Sequence, residues 1–155
     1  MTFHTQQDFH TPIQETWIEK FLSLPHQLFF TSTIFFAIVI MSLTILLLSG
    51  AVQGSFNTIH SFGLIYAVFT NAFLGFLITV IPKYTNSTII DKKYYALPWI
   101  ILQVGIIITL IGDEMTGKLI VVFTIFYYNY IFYRTIQKGK STKKKKLFIL
   151  IFYYL

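Results

Sequence analysis

The sequence contains no cysteine, and only 12% of its 155 residues are Asp, Glu, Lys or Arg. Without cysteine, the chain forms neither a disulfide bond nor a thiolate site for zinc or an iron–sulfur cluster. Any metal ion must therefore use histidine, carboxylate or carbonyl ligands. The charged share is about half of that in soluble domains, so the composition excludes an ordinary water-soluble protein.

Acidic residues are scarcer still, which leaves a formal net charge of +6. Such a charge is common among nucleic-acid-binding proteins, in which the basic residues form one patch or stripe. Here the basic residues stand between long apolar blocks instead, so nucleic acid is not an expected partner. The expected partner is the lipid bilayer, whose anionic headgroups attract basic residues at its surface.

Apolar residues, by contrast, make up 55% of the chain and fall into four nearly uninterrupted blocks. Each block is close to the roughly 20 residues with which a helix crosses about 30 Å of hydrocarbon. Because a helix satisfies its own backbone hydrogen bonds in lipid, an all-α fold is indicated. We predict a polytopic transmembrane helix bundle with four full helices, at about 29–52, 59–81, 95–111 and 118–133.

The two ends of the chain differ from this apolar region. Residues 1–28 are mostly polar and predict an N-terminal arm, in which His4 and His10 belong to a disordered segment. Residues 134–155 comprise a basic loop with a run of four lysines and then an apolar tail, 147–155, which is too short to span as a helix. The tail is either an interfacial anchor or an incomplete fifth helix of a longer protein. The missing half-helix favours the second interpretation.

The distribution of lysine and arginine predicts the orientation, because basic residues are retained on the cytoplasmic side. With four spans, eleven of the twelve basic residues fall on one face, and only Lys118 falls on the other. We therefore expect a bacterial cytoplasmic (inner) membrane protein with its N-terminus inside and the loop 53–58 outside. The cytoplasmic set comprises Lys20, Lys83, Lys92, Lys93, Arg134, Lys138, Lys140 and the lysines at 143–146.

Polar residues in the second block suggest a functional stripe. His60 lies near its outer end, and Asn71 follows eleven residues later, only about 20° round an ideal helix, so the two are predicted to share one face. Gly63, Ala67 and Gly75 recur with Asn71 at every fourth position, a spacing that lets another helix approach closely. We expect this face to be buried against protein, and a missing partner helix is one candidate for the covering element.

Two histidines are candidate metal ligands, and each has a simpler alternative. His60 either ligates haem iron or copper through a neutral imidazole or donates a hydrogen bond to the outer loop. His26 follows Pro25 at the membrane boundary, where it is either a ligand or a polar cap of the first helix. The two histidines lie at opposite ends of adjacent helices, about 30 Å apart, and therefore cannot ligate one metal together.

Two segments carry a family resemblance. Residues 25–30 read Pro-His-Gln-Leu-Phe-Phe, and residues 75–85 read Gly-Phe-Leu-Ile-Thr-Val-Ile-Pro-Lys-Tyr-Thr. The first looks like the element His/Arg-x-Pro-Phe-Phe with Leu28 in place of proline, and the second is similar to Gly-Phe-Leu-Leu-Thr-Ala-Val-Pro-Asn-Trp-Thr. Together they resemble the NnrS family, polytopic haem- and copper-containing membrane proteins associated with nitric oxide metabolism in denitrifying bacteria.

The resemblance implies cofactors and site residues. His60 stands at the first histidine of the family's Trp-His-x-His-Glu segment, whereas Phe62 stands at the second histidine and Gly63 at the glutamate. Haem and copper are thus implied as cofactors, with His60 and His26 as candidate ligands. Family members are usually much longer, which implies that the chain is an N-terminal fragment. Further C-terminal helices, or a homo-oligomer, would then complete the bundle.

Three functions remain open at this point. The resemblance implies a protein that binds haem and copper within a helix bundle and helps cells to tolerate nitric oxide. A second hypothesis is a small membrane permease subunit, although the nearly charge-free spans offer no evident proton relay. A third is a structural membrane protein without a cofactor. No catalytic residue is predicted, and an enzymatic activity is not expected.

Overall fold

The computed structural model describes residues 16–17, 21 and 23–140, and these form a bundle of four long helices. The predictions for His4, His10, Lys20, the lysine run and the apolar tail lie outside the described residues. The described part contains no β-strand, and each helix is long and apolar enough to cross a membrane, so the all-α transmembrane fold is confirmed. The helices are α1 (Pro25–Leu48), α2 (Asn57–Thr85), α3 (Lys92–Ile111) and α4 (Glu114–Lys138).

The ends of α1 and α2 differ from the expected bounds for local backbone reasons. Pro25 occupies the first turn of α1, where a missing N–H costs nothing, so the helix begins four residues before position 29. The chain leaves α1 through Gly50 at φ 76°. α2 continues through Pro82 and ends at Thr85, and the left-handed φ of 51° at the following Asn86 closes the last turn.

α3 and α4 are longer than expected. α3 begins at Lys92, and Gly112 with φ 130° separates it from α4. Asp113 caps α4 by accepting a hydrogen bond from the backbone N–H of Thr116 at 3.2 Å. The helix continues past position 133, where it was expected to end, and reaches Lys138. The loops that join α2 to α3 and α3 to α4 are correspondingly short.

The first half of α2 is wound more loosely than an α-helix. Over Asn57–Phe69 the turns are π-helical, with hydrogen bonds that reach five residues back. At the junction to the α-helical half, both the backbone N–H and the side-chain hydroxyl of Thr70 bond to the carbonyl of Ile65. Each π-helical residue therefore turns the chain by less than 100°, which changes the directions in which side chains project from α2.

Interhelical contacts define an up-and-down arrangement. Trp99 of α3 donates its indole N–H to the Ser32 hydroxyl of α1 at 3.0 Å, which joins the early parts of these two helices. Thr58 at the start of α2 donates to Glu114 at the start of α4 at 2.6 Å. α1 and α3 therefore run in one direction and α2 and α4 in the other. We call the end with the α2–α3 loop the basic end, and the end with the other two loops the distal end.

The small residues of α2 allow α1 to pack closely against it. A Cβ atom placed on Gly63 would lie 2.5 Å from Cδ1 of Ile40, and one on Gly75 would lie 2.7 Å from Cβ of Phe29. Ala67 between them is fully buried. The prediction that this stripe is buried against protein is confirmed. The covering helix is α1 of the same chain, so the idea of a missing partner helix at this stripe is wrong.

Apolar side chains occupy both the interior and the outer surface of the bundle. Phe29, Leu102 and Tyr128 are fully buried, whereas Phe123 and Phe126 on α4 are 70% and 66% exposed. A soluble bundle would place charged residues on that outer surface. Because helices in lipid meet apolar tails instead of water, this distribution is that of a membrane protein.

Candidate functional site

His60 lies in the π-helical half of α2, near the distal end, and its imidazole is partly buried. The ring stacks on Phe56, with centroids 5.0 Å apart and planes inclined by 18°. Its Nδ1 atom lies 3.3 Å from Oγ1 of Thr44 in α1. The alternative in which His60 bonds to the outer loop is therefore wrong, because its hydrogen bond goes to the neighbouring helix.

The contact with Thr44 selects one tautomer of the imidazole. The Thr44 hydroxyl donates its only hydrogen to the carbonyl of Ile40 at 2.7 Å, so towards His60 its oxygen can only accept. The proton of the neutral imidazole therefore lies on Nδ1, and the Nε2 atom carries the free lone pair. Among the described residues, Nε2 has no hydrogen-bond partner. Metal-binding histidines are commonly fixed in this way, with one nitrogen held by an oxygen and the other available.

His26 has a less specific environment. It lies in the first turn of α1, partly buried, and its Cα atom faces Gly75 of α2. No side-chain hydrogen bond caps α1, so the interpretation of His26 as a cap is wrong. Within residues 23–140 its imidazole has no hydrogen-bond partner that would select a tautomer. A metal ion at His26 would therefore bind an imidazole whose tautomer and orientation no hydrogen bond fixes.

The two histidines lie at opposite ends of the bundle, as expected. His60 contacts Thr44, which follows His26 by 18 residues in the same helix. At 1.5 Å per residue, this spacing separates the histidines by about 27 Å. No group of three or more His, Asp or Glu side chains in the described part of the chain could hold a metal ion. Each histidine can therefore offer a single ligand.

Asn71 is fully buried at the middle of α2 and pairs with α3. Gln103 donates to Oδ1 of Asn71 at 2.9 Å, and Asn71 donates to the carbonyl of Ala67 at 2.9 Å. Asn71 thus faces α3, whereas His60 faces α1. The prediction that the two share one face is wrong, because the angle of 100° per residue does not apply to the π-helical turns between them.

The Asn71–Gln103 pair predicts a measurable coupling of α2 to α3. Asn71→Leu leaves the Gln103 amide unpaired inside the bilayer, and we expect a loss of about 1 kcal/mol in the free energy of unfolding. The double variant with Gln103→Leu removes both amides and should lose less than the sum of the single variants. Unfolding titrations in detergent measure the free energies of unfolding of the single and double variants, which together form a double-mutant cycle. Asn129→Leu is the matched control, since Asn129 has no hydrogen-bond partner within the described residues; strict additivity in the cycle would contradict the pairing.

A second polar cluster at the distal end was not predicted from the sequence. Glu114 accepts a hydrogen bond from Thr58 and forms an ion pair with Lys118. The ammonium group of Lys118 also lies 5.8 Å from the ring centre of Phe62. The spacing of four residues between Glu114 and Lys118 is the signal that could have revealed the ion pair. The contact of Glu114 with Thr58 depends on the packing of α2 against α4, and no sequence pattern predicts it.

Comparison with known proteins gives one result. The model of a protein family described as NnrS protein matches residues 20–155, which include all four helices. No curated protein and no solved structure matches the chain.

Proposed function

Since the chain belongs to the NnrS family, with a match over more than half of its length, we propose that it is a membrane protein of nitric oxide metabolism that provides a histidine ligand to haem. Its role is tolerance of nitric oxide in a bacterial cytoplasmic membrane. The family match and the four apolar helices support this proposal. The proposed ligand is His60, in preference to His26.

The observation that carries the proposal is the fixed tautomer of His60. Thr44 holds Nδ1, so the lone pair of Nε2 points away from that hydrogen bond and is ready to bind a metal. Phe56 lies against one face of the ring and restricts its rotation. A histidine placed only to satisfy a hydrogen bond needs neither the defined tautomer nor the stacked ring.

The donor set fits haem better than copper. Haem iron is held by its porphyrin and needs only one axial imidazole from the protein. A copper ion needs several protein ligands, and the described residues contain no group of three or more His, Asp or Glu side chains that could hold one. A copper site in this family member would therefore take His26 or His60 as one ligand and its other ligands from another chain or segment.

The residues of the chain perform distinct tasks in this proposal. Thr44 orients the imidazole and keeps its proton on Nδ1, while Phe56 shields one face of the ring from water. Gly63 lets α1 approach α2 closely enough for the contact between Thr44 and His60. When bound, a haem iron supplies the coordination position at which nitric oxide binds.

The proposed orientation places the basic end in the cytoplasm. Lys83, Lys92 and Arg134 all lie at this end, because α2 ends there, α3 begins there and α4 ends there. The only basic residue at the distal end of the described chain is Lys118, which pairs with Glu114. This asymmetry follows the positive-inside rule. His60 then lies near the outer surface of the membrane.

The test is the absorption spectrum and metal content of the detergent-purified 155-residue chain reconstituted with haem. We expect a Soret band that His60→Ala abolishes and that the matched variant His26→Ala retains. Thr44→Val keeps the shape of the side chain but removes the oxygen that holds Nδ1. It should weaken haem binding by about 10- to 100-fold, the usual effect of removing such a support.

Three results would contradict the proposal. A band that survives in His60→Ala would show that another group binds haem. A colourless protein in every preparation would leave a permease subunit or a structural bundle without cofactor as the better description. Equal loss of haem in Thr44→Val and in a variant that loosens the bundle between α3 and α4, such as Gly117→Ala, would show that packing rather than the tautomer matters.

A further inference from the structure

A cavity of about 460 Å³ opens at the basic end of the bundle. It lies between the loop that joins α2 to α3 and the last turns of α4. Its polar lining comes from both sides, with hydroxyl groups on the loop and cationic side chains on α4. The residues that matter for its chemistry are Ser87, Thr88, Asp91, Tyr130, Arg134 and Lys138.

The cationic side chains in this cavity are available to bind an anion. Arg134 and Lys138 lie one helical turn apart on α4, and both are exposed. The ion pair between Lys118 and Glu114 lies at the distal end, and within the described residues no carboxylate pairs with Arg134 or Lys138. Arg134 lies over the ring of Tyr130 at 5.8 Å, a contact that leaves the edge of the guanidinium group free to form hydrogen bonds.

The lining changes from charged to apolar with depth in the membrane. Lys138 and Arg134 are nearest the end of α4, whereas Ile131 and Tyr127 lie further inside. Between Tyr127 and Lys138 the helix rises about 16 Å. A phospholipid has the same order of groups, with a charged headgroup outside and a glycerol and acyl region inside. A small soluble anion would use only the outer part.

The cavity is held in place by close packing at its base. Gly139 follows α4 directly and lies against Thr85 at the end of α2, where an added Cβ atom would come within 2.5 Å of the Thr85 Cβ atom. The Thr85 hydroxyl in turn contacts Ser87 Oγ at 3.0 Å. These contacts fix the loop relative to the cationic residues of α4, so the two sides of the cavity keep their spacing.

We propose that this cavity binds the phosphodiester headgroup of an anionic phospholipid from the surrounding bilayer. Arg134 provides paired N–H groups for the phosphate oxygens, and Lys138 provides the second positive charge. The charges of Arg134, Lys138 and Asp91 add to +1, which matches the single negative charge of a phosphodiester. Asp91 can accept a hydrogen bond from a headgroup hydroxyl, and the apolar depth accommodates the glycerol and acyl region. This proposal is independent of haem binding.

The experiment counts lipids on the intact protein. The purified 155-residue chain is mixed in detergent with equal amounts of phosphatidylglycerol and phosphatidylcholine of identical acyl chains, and native mass spectrometry measures the bound lipid. We expect phosphatidylglycerol to bind preferentially. Arg134→Gln and Lys138→Gln should each weaken its binding about fivefold, from the loss of one cation near a lipid phosphate. Lys83→Gln is the matched control, since Lys83 is exposed at the same end outside the cavity.

Three outcomes would overturn the proposal. Equal binding of the two lipids would show that the headgroup charge is not recognised. An equal loss in Lys83→Gln would indicate general attraction of anionic lipid to the basic end. Binding of glycerol 3-phosphate as tightly as phosphatidylglycerol would show that the apolar inner part of the cavity does not contribute to binding. The ligand would then be a soluble phosphate. Unchanged thermal unfolding of the variants establishes that their folds are intact.

Discussion

Replacement of Gly117 by alanine is expected to destabilise the bundle by about 3 kcal/mol, at the upper end of the range for overpacking. Gly117 lies where α4 crosses α3 so closely that the backbones of the two helices are in contact. An added Cβ atom would lie 2.5 Å from the backbone nitrogen of Thr109 and 2.7 Å from the carbonyl oxygen of Gly105, and it would also overlap the Thr109 hydroxyl. Backbone atoms cannot rotate away, so the two helices must separate.

The measurement is the unfolding free energy in detergent, followed by far-ultraviolet circular dichroism. Gly54→Ala is the matched control, because a Cβ atom there meets only the end of the flexible Ile59 side chain, at 3.0 Å. We expect the control to retain wild-type stability within about 0.5 kcal/mol. Equal stability of the two alanine variants would mean that α3 and α4 do not cross at Gly117.

Replacement of Tyr128 by alanine should cost about 3 kcal/mol, because it leaves a cavity at the centre of the bundle. Tyr128 is fully buried, and its ring meets that of Phe29 from α1 at 5.9 Å. Its hydroxyl donates to the carbonyl of Tyr95 in α3 at 2.9 Å. One side chain of α4 therefore contacts two other helices, and lipid cannot readily fill the space that its removal leaves.

Two further variants separate the contributions of Tyr128. Tyr128→Phe keeps the ring and removes the hydrogen bond, for which we expect a loss of about 1 kcal/mol. Phe123→Ala removes an aromatic ring of similar size from the same helix at a position that is 70% exposed, and it should have little effect on unfolding. If Phe123→Ala were as damaging as Tyr128→Ala, the arrangement of α4 in the bundle would be wrong.

The sequence was sufficient to predict the four helices and the burial of the small residues in α2. Both follow from local patterns: the length of an apolar block, and the four-residue recurrence of Gly63, Ala67 and Gly75. Helix ends were less predictable. The second helix was expected to end at position 81, yet α2 continues through Pro82 to the left-handed turn at Asn86, because a proline within a helix removes only one backbone hydrogen bond.

The environment of the candidate ligand could not be predicted. The π-helical turns of α2 invalidate the assumption of 100° per residue on which the shared face of His60 and Asn71 depended. Thr44 and Gln103 are ordinary polar residues in apolar blocks, and their pairing with His60 and Asn71 depends on which helices meet. Such partners become visible only once the packing of the bundle is known.

The amide pair between α2 and α3 has a consequence for the order in which the protein is assembled during synthesis. α1 and α2 leave the ribosome first and can pack through Gly63 and Gly75 before α3 exists. The side-chain oxygen of Asn71 then lacks its hydrogen-bond donor until Gln103, 32 residues further along the chain, has been synthesised and inserted. The first hairpin therefore enters the bilayer with one unsatisfied acceptor, and insertion of the third helix completes it.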